Sequence, residues 1–299
     1  MLSRHDLGGD LIWYEVERPN ASDIRQISTV IKAHPIILEE IVGVSDRNKV
    51  ERFGEHLYLV YHVPLYNPLD RASRKAEIDF LVSKNVLVTV TYEPVEPVKQ
   101  AIQKYSKSDK VHSIAELLYQ ILREANEFSL RELRHIETKV NRIGTHLFRK
   151  QDEKLLEEVS YIKRDLLNFS VIAAPQRTTL ESLLKEGPEL LGLEWKVYFT
   201  DLLGDFMKVH FLLENLRATV ESYGETISQI FNFRATQVMR RVSVLGFLTF
   251  PLILYSTIAL EPKVASTFLH TADDFWIIFG GLAISIMLLA FVMRKRNLL

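Results

Sequence analysis

Apolar residues dominate two stretches near the C-terminus, Val242–Leu260 and Phe275–Met293, and neither stretch contains Asp, Glu, Lys, Arg or His. Each stretch is nineteen residues long, and about twenty apolar residues cross the hydrocarbon core of a bilayer. The pattern therefore predicts two transmembrane helices at 242–260 and 275–293. The loop between them, 261–274, barely enters the opposite compartment, so most of the chain precedes the membrane anchor.

The basic residues lie on one side of these two spans. Arg240 and Arg241 precede the first span, and three more basic residues follow the second at 294–296. The loop between the spans carries Glu261, Asp273 and Asp274 against Lys263, a formal charge of −3 + 1 = −2. By the positive-inside rule, both termini are expected in the cytoplasm and the loop outside, in an inner or plasma membrane. The tail at 294–299 is then cytoplasmic.

The first 110 residues show short alternating patterns that are typical of strands, interrupted by two short helical patterns. This segment is predicted to be an α/β domain. Its expected helices are Ala21–Ala33 and Ile36–Val42, and its first expected strand is Leu11–Val16. A turn at Gly54 is expected between the strands Val50–Phe53 and His56–Val63, and a hairpin is expected from the strands Ile78–Val82 and Val86–Thr91.

From His112 onward the pattern is helical. Residues 111–189 are predicted to form a helical hairpin, with runs at Ile114–Arg149 and Asp152–Leu184. Pro175 is expected to kink or end the second run, and Gly187-Pro188 marks a turn. A stalk helix is predicted at 190–241, continuing into the first span.

The stalk carries the most regular pattern in the chain, a seam of apolar and aromatic residues spaced three and four apart. Two interpretations remain open: the seam packs inside this chain, or it joins copies of the chain to one another. The second is the preferred hypothesis. The seam residues are Trp195, Phe199, Leu202, Phe206, Val209, Leu213, Leu216, Val220, Tyr223, Ile227 and Ile230.

Composition narrows the functional class. The chain has no Cys, which excludes disulfides and thiolate metal sites. Its 37 basic and 38 acidic residues are dispersed, so nothing points to a nucleic-acid partner. The nine His residues show no paired metal-ligand spacing, and no phosphate-binding loop or nucleophile elbow is present. An enzyme is therefore not expected.

Several segments resemble CorA-type magnesium channels, and their order covers nearly the whole chain. Asn85–Val90 is similar to the NxLxTV strand of that family, and Phe247–Pro251 to its FxPLT run. The other similar segments are His34–Ile41, Lys49–Phe53, Thr200–Leu203 and Asn232–Arg240. The resemblance implies an αβα sandwich, a long helical stalk, two C-terminal spans, a homopentamer and transport of a divalent cation, with Mg²⁺ expected as transported or regulatory ion.

The chain departs from the family at the pore mouth. The Gly-Met-Asn signature corresponds to Leu260, Glu261 and Pro262, and no Asn occurs between Thr236 and Asn297. The family's ring of Asn side chains at the mouth therefore cannot exist in that form. Glu261 follows directly and could form an acidic ring that attracts a hydrated cation; alternatively it is a solvated interfacial residue paired with Lys263.

By the same correspondence the first span lines the pore. Its inward residues would be mostly apolar, and such rings gate by dewetting. Phe250 is the candidate for the tightest ring, unless it packs between helices, and Thr257 offers hydroxyl oxygens near the outer end. The expected pore-lining residues are Met239, Val242, Gly246, Phe250, Ile253 and Thr257.

The resemblance also implies closure by cytoplasmic divalent ions bound between subunits. Asp201 and Glu225 fall on stalk acids with that role, and twenty-four residues of helix separate them by about 36 Å. Each would need a carboxylate from a neighbouring subunit, unless both are ordinary exposed charges. The candidate partners are Asp205, Asp70, Glu77 and Asp79.

Two other functions remain open. Without the signature, the chain could be a non-conducting, membrane-anchored regulatory or assembly protein. A transporter of zinc or another transition metal is a third possibility, although no Cys and no His cluster support it. The basic residues at the inner mouth are expected to contact anionic lipid.

Overall fold

A computed structural model describes residues 2–106, 111–147, 153–260 and 272–295. The chain divides into two compact units, Met1–Gly224 and Glu225–Leu299. The first unit contains a mixed sheet with helices, and the second contains two apolar helices. The fold is the expected α/β domain with a long helix and two C-terminal apolar helices.

A six-stranded sheet forms the centre of the first unit, in the order β1-β2-β6-β5-β4-β3. Strands β2 and β6 pair in parallel, whereas all other neighbours are antiparallel. Gly54 has a φ of 63° in the turn between β3 and β4, where the sequence predicted a turn. The strands are β1 Leu2–Asp6, β2 Ile12–Glu17, β3 Lys49–Phe53, β4 His56–Asn67, β5 Ala72–Val82 and β6 Val86–Thr91.

Two short helices close one face of the sheet, α1 at Ala21–Ile31 and α2 at Pro35–Glu40. Asn20 caps α1 by accepting hydrogen bonds from the backbone of Ser22 and Asp23, and Asp23 bonds back to Asn20 in a capping box. His34 begins α2, where its Nδ1 accepts from the N–H of Ile36 at 3.3 Å. The His-Pro pair therefore shapes the start of a helix.

Two long helices, α4 Ile114–His146 and α5 Glu153–Leu191, cover the opposite side of the sheet. The short helix α3, Glu96–Tyr105, packs on α4. Polar contacts tie the two long helices to the strands: the hydroxyl of Tyr61 in β4 donates to Asn126 of α4 at 3.0 Å, and Asp165 of α5 accepts from the N–H and hydroxyl of Ser73 at 2.7 Å. With helices on both faces, the predicted αβα sandwich is confirmed.

Of the two effects expected of Pro175, a kink or an end of the second long helix, the end is wrong. Helix α5 continues through Pro175 and Pro188, and the expected turn at Gly187-Pro188 lies inside it. A proline inside a helix costs about 3 kcal/mol, but burying each large apolar side chain contributes roughly 1.5–3 kcal/mol, and Phe169 and Leu183 on this helix are completely buried. The helix ends before Gly192, whose φ is 116°.

Helix α6, Trp195–Ala259, contains the stalk and the first apolar span in one element. Its seam from Phe199 to Val220 is at most 5% exposed within the single chain. The side chain of Asn126 donates to the carbonyl of Leu202 at 3.1 Å, and Gly187 lies against the ring of Phe199. For the part of the seam from Phe199 to Val220, the preferred hypothesis that it joins copies of the chain is therefore wrong, because other helices of the same chain already cover it.

The second unit contains the end of α6 and helix α7, Ala272–Lys295. Both helices are long and apolar enough to cross a membrane. The hydroxyl of Tyr255 donates to the carbonyl of Phe275 at 3.2 Å, and the two rings stack with centroids 5.4 Å apart. This aromatic contact joins the two apolar helices to each other.

Candidate ion path and stalk acids

The six expected pore-lining residues share one face of α6. Their spacing of three or four residues places them within about 80° of each other around the helix axis. The four large side chains of this set are between 59% and 65% exposed in the single chain. The residues are Met239, Val242, Gly246, Phe250, Ile253 and Thr257.

The opposite face of α6 is the one that packs. Leu248 is only 7% exposed, and Tyr255, about two helix turns further along α6, contacts Phe275 of α7. About 170° separates this face from the expected pore face. The second apolar helix therefore leaves the expected pore face uncovered.

Two residues of this face have distinct chemistry. Phe250 presents an aromatic ring that is 61% exposed. The Thr257 hydroxyl donates to the carbonyl of Ile253 at 2.9 Å. Because its proton is committed to the helix backbone, the Thr257 oxygen presents lone pairs, which suit a cation. The face thus combines an apolar segment with one hydroxyl oxygen that can accept.

The expected pore mouth, Glu261 together with Pro262 and Lys263, lies outside the described residues. Leu260 is the last described residue before it and is 82% exposed. Of the basic residues expected at the inner mouth of the pore, Arg234, Arg240 and Arg241 are exposed on α6. Their contact with lipid stays a prediction.

Both stalk acids are exposed, each in a different unit. Asp201 accepts a hydrogen bond from the hydroxyl of Tyr119 at 2.8 Å. Burial, together with Asp201 beside it, raises the pKa of Tyr119 to about 12. Tyr119 therefore stays protonated and holds one oxygen of Asp201, while the other oxygen is available to a ligand. Glu225 lies on α6 in the second unit.

The expected carboxylate partners differ in accessibility. Asp205 accepts from Lys208 at 2.6 Å, and Asp70 accepts from the side chain of Asn67. Glu77 and Asp79 are 2% and 0% exposed. For these two acids the expectation of an ion bridge to a neighbour is wrong, because both carboxylates are enclosed within the sheet unit.

Glu77 and Asp79 instead form a buried polar cluster that the sequence analysis missed. Glu77 accepts from the N–H of Ser45 at 2.8 Å and bonds His62 at 2.9 Å. Asp79 accepts from the hydroxyl of Tyr92 at 2.9 Å. Two acids spaced by two residues in an apolar strand were the signal, since alternate strand residues share a face.

Burial and the neighbouring Glu77 raise the pKa of Asp79 well above its usual range. The raised pKa favours a neutral Asp79, because burial and an adjacent carboxyl group both disfavour its charged form. No group of three or more His, Cys, Asp or Glu residues in the described part of the chain is arranged to hold a metal ion. Within one chain, the described acids therefore form no complete metal site.

Comparison with known proteins defines the family. The profile of the family described as "CorA-like Mg2+ transporter protein" matches residues 8–295. The cobalt/magnesium transport protein CorA of Thermotoga maritima is 19% identical over 244 residues, which are 80% of this chain and 70% of that protein. Residues 8–295 span both units and both apolar helices, so the match is not limited to one of them.

Solved structures share the fold. The complete CorA magnesium transporter of Methanocaldococcus jannaschii superposes with a TM-score of 0.81 at 17% identity, covering 96% of this chain and 90% of that one. The ZntB cytoplasmic domain of Vibrio parahaemolyticus superposes with a TM-score of 0.66 at 16% identity, covering 77% and 98% of the two chains. With a family match over nearly its whole length, this chain belongs to the CorA-like Mg²⁺ transporter family and is a divalent cation transporter of that family.

Proposed function

We propose that the protein is a homopentameric Mg²⁺ transporter in which five copies of α6 turn their pore face inward. The observation that carries this proposal is the exposed face with Phe250 and Thr257, opposite the side that contacts α7. Assembly of five copies around a central axis would bury that face, whereas the α7 helices would lie outside and contact lipid. Both termini then lie in the cytoplasm, as the distribution of basic residues favours.

Phe250 forms the closed gate in this proposal. A narrow apolar constriction excludes water and ions without a mechanical plug. Proteoliposomes with a Mg²⁺-sensitive dye inside test it directly. Phe250→Ala should raise Mg²⁺ entry, whereas Phe291→Ala, which removes a ring of similar exposure (68%) from α7, should not. Equal entry in all three proteins, with pentamers intact, would contradict the gate.

Glu261 replaces the missing signature at the mouth. Five carboxylates would attract a cation that keeps part of its hydration shell, because Mg²⁺ prefers oxygen ligands and dehydrates reluctantly. Glu261→Ala should abolish Mg²⁺ entry in the same assay. Asp273→Asn, which removes an acid from the start of α7, should retain most of the entry.

The same proteoliposome assay identifies the ion that is transported. The Thermotoga maritima relative is named for cobalt and magnesium, so Co²⁺, Zn²⁺ and Ni²⁺ belong beside Mg²⁺ in the assay. Preferred entry of a transition metal would replace Mg²⁺ as the substrate. Absence of all four fluxes, in vesicles shown to contain pentamers, would contradict transport and favour a regulatory role.

Asp201 and Glu225 are proposed to bind regulatory cations against carboxylates of neighbouring subunits. Their exposure supports this role, as does the single hydrogen bond that leaves one oxygen of Asp201 available. Millimolar Mg²⁺ should then protect the full-length protein from trypsin, and Asp201→Ala with Glu225→Ala should remove the protection. Glu221→Ala, an exposed acid of the same helix, is the control. Equal protection in the double variant would contradict a sensing role.

A further inference from the structure

A cleft with a surplus of positive charge lies between α4 and α6 in the first unit. Its volume is about 440 Å³, within the range that encloses small molecules. Four basic and two acidic side chains line it, which gives a formal charge of +4 − 2 = +2. They are Arg123, Arg131, Arg134, Lys208, Glu127 and Asp205.

Both acids of the cleft are already paired with bases of the cleft. Glu127 lies 3.4 Å from Arg123, and Asp205 lies 2.6 Å from Lys208. One pair lies along α4 and the other along α6, and within each pair the positive and negative charges cancel. The surplus of the cleft therefore belongs to the remaining two arginines.

Arg131 and Arg134 have no carboxylate within 4.0 Å in the part of the chain that the structure describes. The Arg131 guanidinium lies over the ring of Phe128, 5.8 Å from its centroid, and Arg134 is exposed. They are three residues apart on α4, so they lie on the same side of the helix. Guanidinium groups bind carboxylate or phosphate oxygens through two parallel hydrogen bonds.

The rest of the lining limits what can bind. The Asn126 side chain is engaged in the fold, because its oxygen accepts from Tyr61 and its nitrogen donates to the carbonyl of Leu202. These bonds fix the base of the cleft to the sheet and to both helices. Leu130 is the apolar side chain of the lining, and the described lining contains no aromatic ring on which a nucleobase could stack. The cleft thus suits a compact anion better than a nucleoside.

We propose that this cleft binds a small soluble oxyanion with two or more negative charges, such as a diphosphate, held by Arg131 and Arg134. The site belongs to the first unit, whereas the expected pore-lining residues belong to the second, and the proposal does not depend on the ion transported. A phosphorylated lipid headgroup carries the same chemistry, so the test must separate the two sources. A soluble ligand is the assignment because the cleft is concave and lacks an apolar lining for acyl chains.

Calorimetric titration of the full-length protein with sodium pyrophosphate, in neutral detergent without divalent ions, tests this. The wild-type protein should show saturable binding of one pyrophosphate per chain. Arg131→Gln with Arg134→Gln should weaken it at least about tenfold, because charge-assisted hydrogen bonds are lost. Arg177→Gln is the matched control, since Arg177 is an exposed arginine of α5 that pairs with Glu181 at 2.9 Å.

Three results would overturn the proposal: undiminished binding by the double variant, no saturable heat with the wild type, or equal heat from sodium chloride at the same ionic strength. Stronger binding of phosphatidic acid than of pyrophosphate would overturn the assignment to a soluble ligand. The melting temperature without pyrophosphate shows whether the double variant is folded. If it is not, Arg134→Gln alone, at the exposed residue, must still weaken binding several-fold.

Discussion

The two units of the chain differ in how far their large apolar side chains are exposed. In Met1–Gly224 many large rings, among them Trp13 and Tyr61, are completely buried. In Glu225–Leu299, Phe247 and Ile277 are each 70% exposed in the single chain. The first unit therefore buries most of its large apolar side chains within the single chain. The second unit requires lipid or further copies of the chain, since a contiguous exposed apolar surface marks such contacts.

Polar groups show the same contrast. The first unit encloses charged and polar side chains and gives them partners, as for Asp165 with Ser73. The second has no charged residue between Val242 and Leu260 or between Phe275 and Met293. Stability in the first unit therefore depends on internal packing and hydrogen bonds, whereas the second depends on its surroundings.

The largest expected difference comes from matched truncations of leucine. Leu202 is 0% exposed in the first unit, and Leu245 is 63% exposed in the second. Leu202→Ala should lower the free energy of unfolding by about 2–5 kcal/mol, because it leaves a cavity in a packed core. Leu245→Ala should change it by less than about 0.5 kcal/mol. Urea unfolding in detergent, followed by circular dichroism, measures both.

A similar loss in the two variants would break the comparison. It would mean that Leu245 is packed as tightly as a core residue, for example against another copy. Repeating the Leu245→Ala measurement at several protein concentrations separates the cases, because stability that depends on assembly changes with concentration.

Matched glycine substitutions sharpen the comparison of the two units, with smaller expected changes in the free energy of unfolding. A Cβ at Gly187 would lie 2.8 Å from Phe199, a buried ring that cannot move aside, so Gly187→Ala should cost about 1–3 kcal/mol. Gly204 in the first unit and Gly246 in the second both have open space around that atom. Alanine at either should stabilise the helix by about 0.5–1 kcal/mol. Thermal melting checks all three.

Gly246 has a second readout that Gly204 lacks. If the face of Gly246 lines the ion path, the added methyl group narrows it, and Mg²⁺ entry into proteoliposomes should fall. Gly204→Ala should leave entry unchanged, because Gly204 lies on the exposed side of the stalk in the first unit. Unchanged entry in both variants would contradict the assignment of the pore face.

The sequence predicted most accurately those elements whose residue pattern and contacts are local along the chain. The hairpin of β5 and β6, the turn at Gly54 and the two apolar helices follow from alternation, turn residues and length. Strand β1 was missed because its LSRHD sequence has no strand pattern of its own; pairing of Leu2 with Val16 and its neighbours supplies the order. The continuation of α5 through Pro175 likewise depends on burial against the sheet.

The site shows the same limit. The face of α6 follows from spacing, so Phe250 and Thr257 could be placed on it from the sequence. The seam of the stalk could not be assigned to this chain or to a neighbour, since an apolar stripe does not identify what covers it. Nor could burial of Glu77 and Asp79 be foreseen, because their environment comes from β4 and from the chain after β6.

The buried acid pair gives the first unit a pH-dependent stability that we do not expect from the second. Because burial beside Glu77 raises the pKa of Asp79 in the folded protein, the folded state binds a proton that the unfolded state releases above about pH 4. Stability is therefore fully present below that pH and declines as the pH rises through the folded-state pKa. In the described part of Glu225–Leu299 no titratable side chain is buried.

Asp79→Asn should flatten this decline and stabilise the protein near neutral pH by about 1 kcal/mol, since the amide keeps an acceptor for the hydroxyl of Tyr92 and carries no charge. The measurement is the melting temperature between pH 4 and pH 9. Asp46→Asn, at a fully exposed acid beside Lys75, should leave the profile unchanged. Identical profiles for wild type and Asp79→Asn would show that Asp79 ionises normally, and pH would then no longer distinguish the two units.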